Sequence, residues 1–356
     1  FGRNEEDGLR CVYHGWKFDV TGQCVDMPNE PAESNFKTKV KARAYPGVQR
    51  GGVIWIYMGP PDKQPGLPDY FWCTQPNAED RVAVKMQRDS NYAQIIEGTI
   101  DSSHLPFLHR EFSRQPYGSS AIADAPDMFA VRETDFGFVY GARRPAAEQY
   151  YWRVSAFVMP GFTHVANSSR AGNGIFVVPI DDEHTWWWYA GVDETVKIPE
   201  VPGRLRDAVM SRENVDMFVR ALCNAPDDPT VGLLPGTWRK VRNLQNDFLI
   251  DRQMQRTVNY TGIPGANTQD AAVTDSMGPI YDRTHERLGT TDVAIIHMRR
   301  QLIRMARDLA QGIEPPQPAN PKLFAALPMA VTTSEGDFDP LWTAHYTEMR
   351  QELERV

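Results

Sequence analysis

The stretch 91–109, N-Y-A-Q-I-I-E-G-T-I-D-S-S-H-L-P-F-L-H, gathers two histidines and two carboxylates in one short segment. Glu97, Asp101 and His104 follow one another at steps of four and three residues, which on a helix keep side chains on one face. His109 comes five residues after His104, past Pro106, where the proline is expected to break or bend that helix. Two neutral imidazoles and one carboxylate on one face of a metal, with the other positions open, make the kind of non-haem Fe(II) site that binds and activates O2. His104 and His109 are the candidate imidazoles. Glu97 and Asp101 are expected on the same side, where a carboxylate orients a ligating ring and fixes its tautomer. The competing reading is a pair of helix-end histidines in ordinary hydrogen bonds.

A second constellation lies near the start, Cys11-Val-Tyr-His14-Gly-Trp. A C-x-x-H pair brings a thiolate and an imidazole to one turn, within reach of one metal atom or two. A buried cysteine beside a satisfied histidine is the ordinary alternative. In a Rieske [2Fe–2S] centre two cysteines hold one iron and two histidines the other. Cys11 and His14 match one such half-site, and the other half would lie ahead of Phe1. The chain is therefore expected to be an N-terminally truncated fragment.

The elements that must position these residues are legible in outline. Residues 9–13, 16–19 and 52–58 read as short strands separated by glycine turns. Gly59-Pro60-Pro61 ends this β-rich part, so two domains are expected, 1–61 and 62–356. Further on, 129–143, 150–159 and 174–193 have strand-like patterns, the last folding back at Asp181-Asp182-Glu183-His184. Helical periodicity covers 203–223 and 292–312, and the Gly- and Pro-rich 231–289 reads mostly as loop with a short helix near 247–255. A loop of that length is expected to line a site. The fold class is α+β: a β domain, then a larger domain of antiparallel sheet and helices.

Composition narrows the partners. With 356 residues there is ample material for a core, and 41% hydrophobic with 24% charged residues places the chain among globular proteins. A net charge of −8 argues against nucleic acid or an anionic membrane as partner. No apolar run approaches the roughly 18–20 residues of a membrane helix. Four scattered cysteines are too few for a disulfide scaffold, and a reducing, cytoplasmic compartment is expected.

Taken together, the motifs resemble the large (alpha) oxygenase subunit of the Rieske non-haem iron ring-hydroxylating oxygenases, in the phthalate 4,5-dioxygenase and phenoxybenzoate dioxygenase branch. The resemblance rests on Cys11-x-x-His14-Gly-Trp-x-Phe-Asp and on Asn91-x-x-Gln94-x-x-Glu97-Gly-x-x-Asp101-x-x-His104-x-x-x-x-His109. A third stretch, Gln269-Asp270 through Ser276-Met-Gly-Pro-Ile-Tyr-Asp-Arg283 to Glu286-x-Leu-Gly289, supports the narrower branch.

The resemblance implies roles. Cys11 and His14 would bind the [2Fe–2S] cluster, and His104, His109 and Asp270 the mononuclear Fe(II), with O2 as co-substrate. Asp247 and Asp275 compete with Asp270 for the third place, and a helix-capping aspartate is the ordinary reading of that residue. Asp101 would bridge the iron site to the Rieske histidine of a neighbouring subunit, and Asn91 would stand beside the iron or merely cap a helix. The fold implied is a helix-grip catalytic domain in a homotrimer. NAD(P)H electrons would arrive through a flavin and iron–sulfur reductase, and the substrate would be an aromatic carboxylate. Phe157 and Trp186, Trp187 and Trp188 are candidate pocket walls, and Arg132, Arg153 and Arg170 candidate carboxylate holders. Two other classes stay open: a Rieske electron carrier without catalysis, and a zinc hydrolase built on two histidines and an aspartate.

Overall fold

The computed structural model describes residues 2–31, 33–74, 81–111, 123–166, 173–192 and 212–355. They fall into two compact units, Phe1–Gln64 and Pro65–Val356. In the first, β1 (Gly2–Glu5), β2 (Gly8–Cys11), β3 (Lys17–Asp19) and β4 (Cys24–Asp26) pair antiparallel in chain order, and β5 (Gly47–Arg50) pairs with β6 (Val53–Ile56). The turn after β2 carries Cys11 and His14. Cys11 N donates to Trp16 O (2.8 Å) and Gly15 N to Cys11 O (3.0 Å). Arg10 braces the turn, donating to Gly15 O, Glu5 (2.6 Å) and Asp26 (2.8 Å).

The second unit is built on an antiparallel sheet. Its strands are β7 (Arg81–Arg88), β8 (Met128–Glu133), β9 (Gly137–Ala146), β10 (Gln149–Val158), β11 (Phe162–His164), β12 (Gly174–Pro179), β13 (Thr185–Val192) and β14 (Met329–Thr333). They run in the order β7-β13-β12-β11-β10-β9-β8, with β14 added on β10. The stretch expected as one strand over 129–143 is the β8–β9 hairpin. The fold-back at 181–184 joins β12 to β13, closed by Asp181 Oδ1 accepting from the backbone N–H of Glu183 (2.8 Å) and His184 (2.7 Å).

Helices pack on the sheet: α1 (Tyr92–Ile100), α2 (Leu105–Leu108), α3 (Arg212–Leu222), α4 (Ala266–Ser276), α5 (Val293–Ala310) and α6 (Phe338–Arg355). Ile95, Ile96 and Ile100 of α1 are buried in one core with Met86, Phe138, Phe157 and Trp187 of the sheet, Phe218 of α3 and Met298 of α5. Burying such side chains stabilises the fold by roughly 1.5–3 kcal/mol each. The part of the helix expected over 203–223 that precedes Arg212 lies outside the described residues. Among the described residues no helix is long and apolar enough to cross a membrane.

Two expectations are corrected. The segment 231–289 is mostly loop, with a short helix at Arg252–Thr257 close to the expected place, but it also holds a helix the pattern does not show, α4. Its buried residues include Asn267, Thr268, Gln269, Thr274 and Asp275, so a hydrophobic period cannot reveal it. Burial is tolerated because hydrogen bonds replace water; each unmade one would cost about 1–3 kcal/mol. Thr268 takes one from Lys240 (3.1 Å), Thr274 one from Arg88, and Asp275 one from Ser90 (2.6 Å). The second correction concerns the helix break. α1 ends at Ile100 with Asp101 as its C-cap in extended backbone, and His104 opens α2 with Pro106 inside that helix's first turn. A proline at N1 or N2 starts a helix well, because the missing N–H has no helical partner there anyway.

His164 on β11 is fully buried against the ring edge of Phe162, and its Nδ1–H donates to Asn173 O (3.0 Å). Burial, only partly offset by that bond, pushes its pKa down from 6.5 to about 4. Above pH 6.5 the ring is neutral in both the folded and unfolded chain. As the pH falls through the window from 6.5 to 4, the unfolded chain takes up a proton that the folded one refuses, and stability is lost. The expected loss from this residue is about 3 kcal/mol. Urea unfolding at several pH values should therefore show a shallower acid loss for His164→Asn than for the parent; equal slopes would contradict the assignment.

Candidate metal centre

Three side chains from three places in the chain meet beside the sheet. His104 and His109 flank α2, and Asp270 comes from the middle of α4. One ligand atom from each lies within 4.8 Å of the others, with Asp270 Oδ1 at 2.9 Å from His109 Nε2 and 3.8 Å from His104 Nε2. Among the described residues this is the only such group of three or more potential ligands.

The other ring nitrogens are already committed. His104 Nδ1 faces Asp101 Oδ2 (3.1 Å), and His109 Nδ1 faces Gln269 Oε1 (2.8 Å). Gln269 donates through Nε2 to Ile263 O (2.9 Å), which identifies its Oε1 as the acceptor turned to His109. Each imidazole therefore keeps a proton on Nδ1 and turns Nε2 toward Asp270, the nitrogen that a metal would take once any proton there is lost. The donor set suits a divalent ion: two nitrogens, one hard oxygen, and the far side left to small ligands.

The electrostatics agree. Burial raises the Asp270 pKa, but His109, then His104 and Arg88, more than offset it and hold the carboxyl at about 2. Burial pushes His109 down, and Asp270 more than offsets that, so a proton competes with a cation for the pair. Burial also raises Asp101, but its bonds from His104 and Ser103 bring it below the ordinary carboxylate value.

The link between α1 and α2 is fixed from below. Arg144 of β9 is fully buried and donates to Ser102 O (2.9 Å), Ser102 Oγ (3.3 Å) and Asp124 O (2.9 Å). Burial, with Arg153 nearby, lowers its pKa to about 10. An arginine in the middle of a strand carries no sequence signal for this task. On the other side Gly98 of α1 faces α4, where an added Cβ would sit 3.3 Å from Thr274 Cγ2. The missing side chain lets the two helices approach.

Several candidate residues stand elsewhere. Asn91 caps α1 at the end opposite Asp101, accepting from Ala93 N (2.9 Å) and donating to Asp182 O (2.7 Å), and it is not in the cluster. Glu97 is not aligned with Asp101 as a partner of the histidines. It pairs with Arg283 (2.9 Å) and Arg299 (2.7 Å), and Arg299 also holds Glu286 (2.6 Å). Asp275 is engaged by Ser90 and Arg88 (3.5 Å), and Asp247 is exposed. Cys11 and His14 share their turn as a pair, with His14 exposed, a thiol and an imidazole of the kinds a Rieske cluster uses.

Inside the triad lies a cavity of about 130 Å³. The sheet lines it with Arg88, Arg153, Ile175 and Trp187. Trp186 and Trp188 point to the other face, stacked by Lys85 at 4.1 and 5.2 Å, and Phe157 lies in the core. Arg132 is on β8, paired with Asp339 (2.9 Å), and Arg170 falls outside the described residues. Outside the triad, a cleft of about 590 Å³ opens onto Asp101, His104 and Asp270.

Comparison with known proteins follows the same two units. Residues 1–46 match the Rieske [2Fe-2S] domain, and residues 56–330 match the LigXa C-terminal domain like family. The chain is 36% identical over 326 residues to the 3-chlorobenzoate-3,4-dioxygenase oxygenase subunit of Comamonas testosteroni, covering 88% of this chain and 73% of that protein. It is 36% identical over 319 residues to the phthalate 4,5-dioxygenase oxygenase subunit of Pseudomonas putida, covering 85% and 68%. Dicamba monooxygenase bound to dicamba shares the fold, with a TM-score of 0.52 at 16% identity over 87% of this chain and 83% of that one. A match running through both units sets aside a bare electron carrier and a zinc hydrolase. The chain belongs to the Rieske non-haem iron oxygenases, as an oxygenase subunit with a Rieske domain ahead of a LigXa-type domain.

Proposed function

We propose that this chain hydroxylates a one-ring aromatic carboxylate, at an iron held by His104, His109 and Asp270, using O2 and electrons from a separate reductase. The observation that carries the reading is the convergence of that triad on a cavity lined by Arg153. Iron(II) bound there supplies the activation of O2. The chain's own groups do the rest. Asp101 and Gln269 keep both Nε2 atoms turned inward, and Asp270 stays ionised to complete the donor set.

Size and charge select the substrate class. A cavity of about 130 Å³ is close to the roughly 150 Å³ that takes benzene, so it admits one ring more readily than two linked rings. Phthalate and chlorobenzoate fit this description better than phenoxybenzoate. Arg153 is anchored by Nε to Ala166 O (2.8 Å) and by Nη1 to Ser102 Oγ (3.4 Å), with donors left over for a carboxylate. The aromatic acids named for the two relatives above are of the same kind. Trp187 supplies an aromatic wall.

The outer cleft supports the rest of the proposal. It bares Asp101 within a rim that includes Phe107, Tyr260 and Met277, all more than a third exposed. A Rieske domain of a neighbouring subunit docking there would place a cluster histidine on Asp101, and a head-to-tail homotrimer provides such a neighbour for every subunit. The domain division we propose is a Rieske part over 1–61 and an iron-binding part over 62–356.

Two measurements test the reading. Metal analysis after Fe(II) loading should show Asp270→Ala weakened by about 100-fold or more, with Asp247→Asn unchanged. Retention of iron by Asp270→Ala would remove the triad. Calorimetry with a one-ring aromatic acid should give about tenfold weaker binding for Arg153→Met, the worth of one charge-assisted bond, with no change for the matching amide. Equal effects on acid and amide would remove Arg153 as the carboxylate holder.

A further inference from the structure

The two histidines are backed differently. His104 leans directly on a carboxylate, Asp101, whereas His109 leans on a neutral amide, Gln269. That amide is not the end of the chain of contacts. Gln269 is fully buried, and its Nε2 donates to Glu111 Oε1 (2.8 Å) as well as to Ile263 O. The second carboxylate oxygen, Glu111 Oε2, accepts from Asn259 Nδ2 (2.8 Å), which also reaches Ile263 O (3.1 Å). Asn259 cannot turn over, because its Oδ1 accepts from Thr261 N (3.2 Å) and Gly262 N (2.7 Å).

Resting on the His104–His109–Asp270 reading, we propose that Glu111 is a positioning residue for the metal centre, acting through Gln269 on His109. An amide can face an imidazole with either end. Only the oxygen end demands a proton on Nδ1 and so frees Nε2 for a metal; the NH2 end would demand the opposite tautomer and put a proton where the metal belongs. Glu111 and Ile263 O decide between them. Neither a carboxylate nor a backbone carbonyl can donate, so both draw the NH2 end of Gln269 and leave its oxygen for His109. The result is an asymmetric support: one ligand backed by a carboxylate in contact, the other by a carboxylate one amide away.

The probe is Co(II), which occupies such sites and reports ligand geometry in its visible bands, titrated into the metal-stripped full chain. Glu111→Gln places an NH2 group against either Gln269 or Asn259, both donors. It should bind Co(II) about tenfold more weakly, with altered bands. Gln269→Glu, which sets two carboxylates face to face, should weaken binding similarly. The double variant Glu111→Gln with Gln269→Glu restores donor against acceptor at that contact and keeps an oxygen on His109. Because Ile263 O still loses its donor, affinity should recover in part, to clearly above that of the Gln269→Glu single variant, a coupling that loss of folding in the single variants would not produce. Parent-like affinity and bands in both single variants would overturn the proposal, and so would a double variant no better than Gln269→Glu alone. Asp270→Ala serves as the control: if it still binds Co(II) like the parent, the triad itself falls and this inference with it.

Discussion

A carboxylate on a helix with a polar buried face has to be delivered to two imidazoles about 160 residues earlier in the chain. The contact between Asp270 and His109 is the point on which the second unit turns. Apolar packing alone cannot aim α4, since the side it buries is rich in amides and hydroxyls. Polar contacts at both ends do so. Lys240 reaches Thr268 near its start, and Arg88, Ser90 and Gln94 hold Thr274 and Asp275 near its end. Directional bonds fix rotation about the helix axis in a way that non-directional burial does not. A small rotation of α4 would carry Asp270 out of reach.

The same constraint sorts the residues of the long motif around 91–109. Gln94 spans from α1 to the end of α4, donating to Thr274 O (3.3 Å) and Gly278 O (3.0 Å) while accepting from Tyr281 N (2.8 Å). Asn91 N donates to Pro279 O (2.8 Å), and Glu97 binds Arg283 and Arg299. These polar residues fasten the stretch 276–289 and α5 to α1. Only Asp101, His104 and His109 turn to the cluster with Asp270. One run of sequence thus does two jobs, scaffold on its first half and the candidate ligands on its second.

How much was legible follows from the same physics. Strand alternation, the hairpin at 181–184 and the α5 helix all follow from apolar periodicity, and they are where the pattern puts them to within a few residues. The pair His104 and His109 was legible from spacing, and Asp270 through resemblance alone. What the pattern could not disclose is α4, because its inward face reads as a loop. Nor could it place the helix break, because Pro106 starts a helix here rather than ending one. Arg144 and Glu111 were silent for another reason. Their partners are a backbone segment and an amide distant in sequence, and no local spacing encodes such contacts. Asn91 left two readings open because a helix cap and an iron-side amide look alike in one dimension, and the cap is what the structure shows.

The most direct test of the account is anomalous diffraction at the iron edge from crystals of the Fe(II)-loaded protein. The account predicts, in the second unit, one iron peak bonded to His104 Nε2, His109 Nε2 and an Asp270 carboxylate oxygen, at about 2.0–2.2 Å as for similar divalent ions on nitrogen and carboxylate ligands. A peak coordinated by Asp275, Asp247 or Glu97 in place of Asp270, or no peak beside α4, would contradict it.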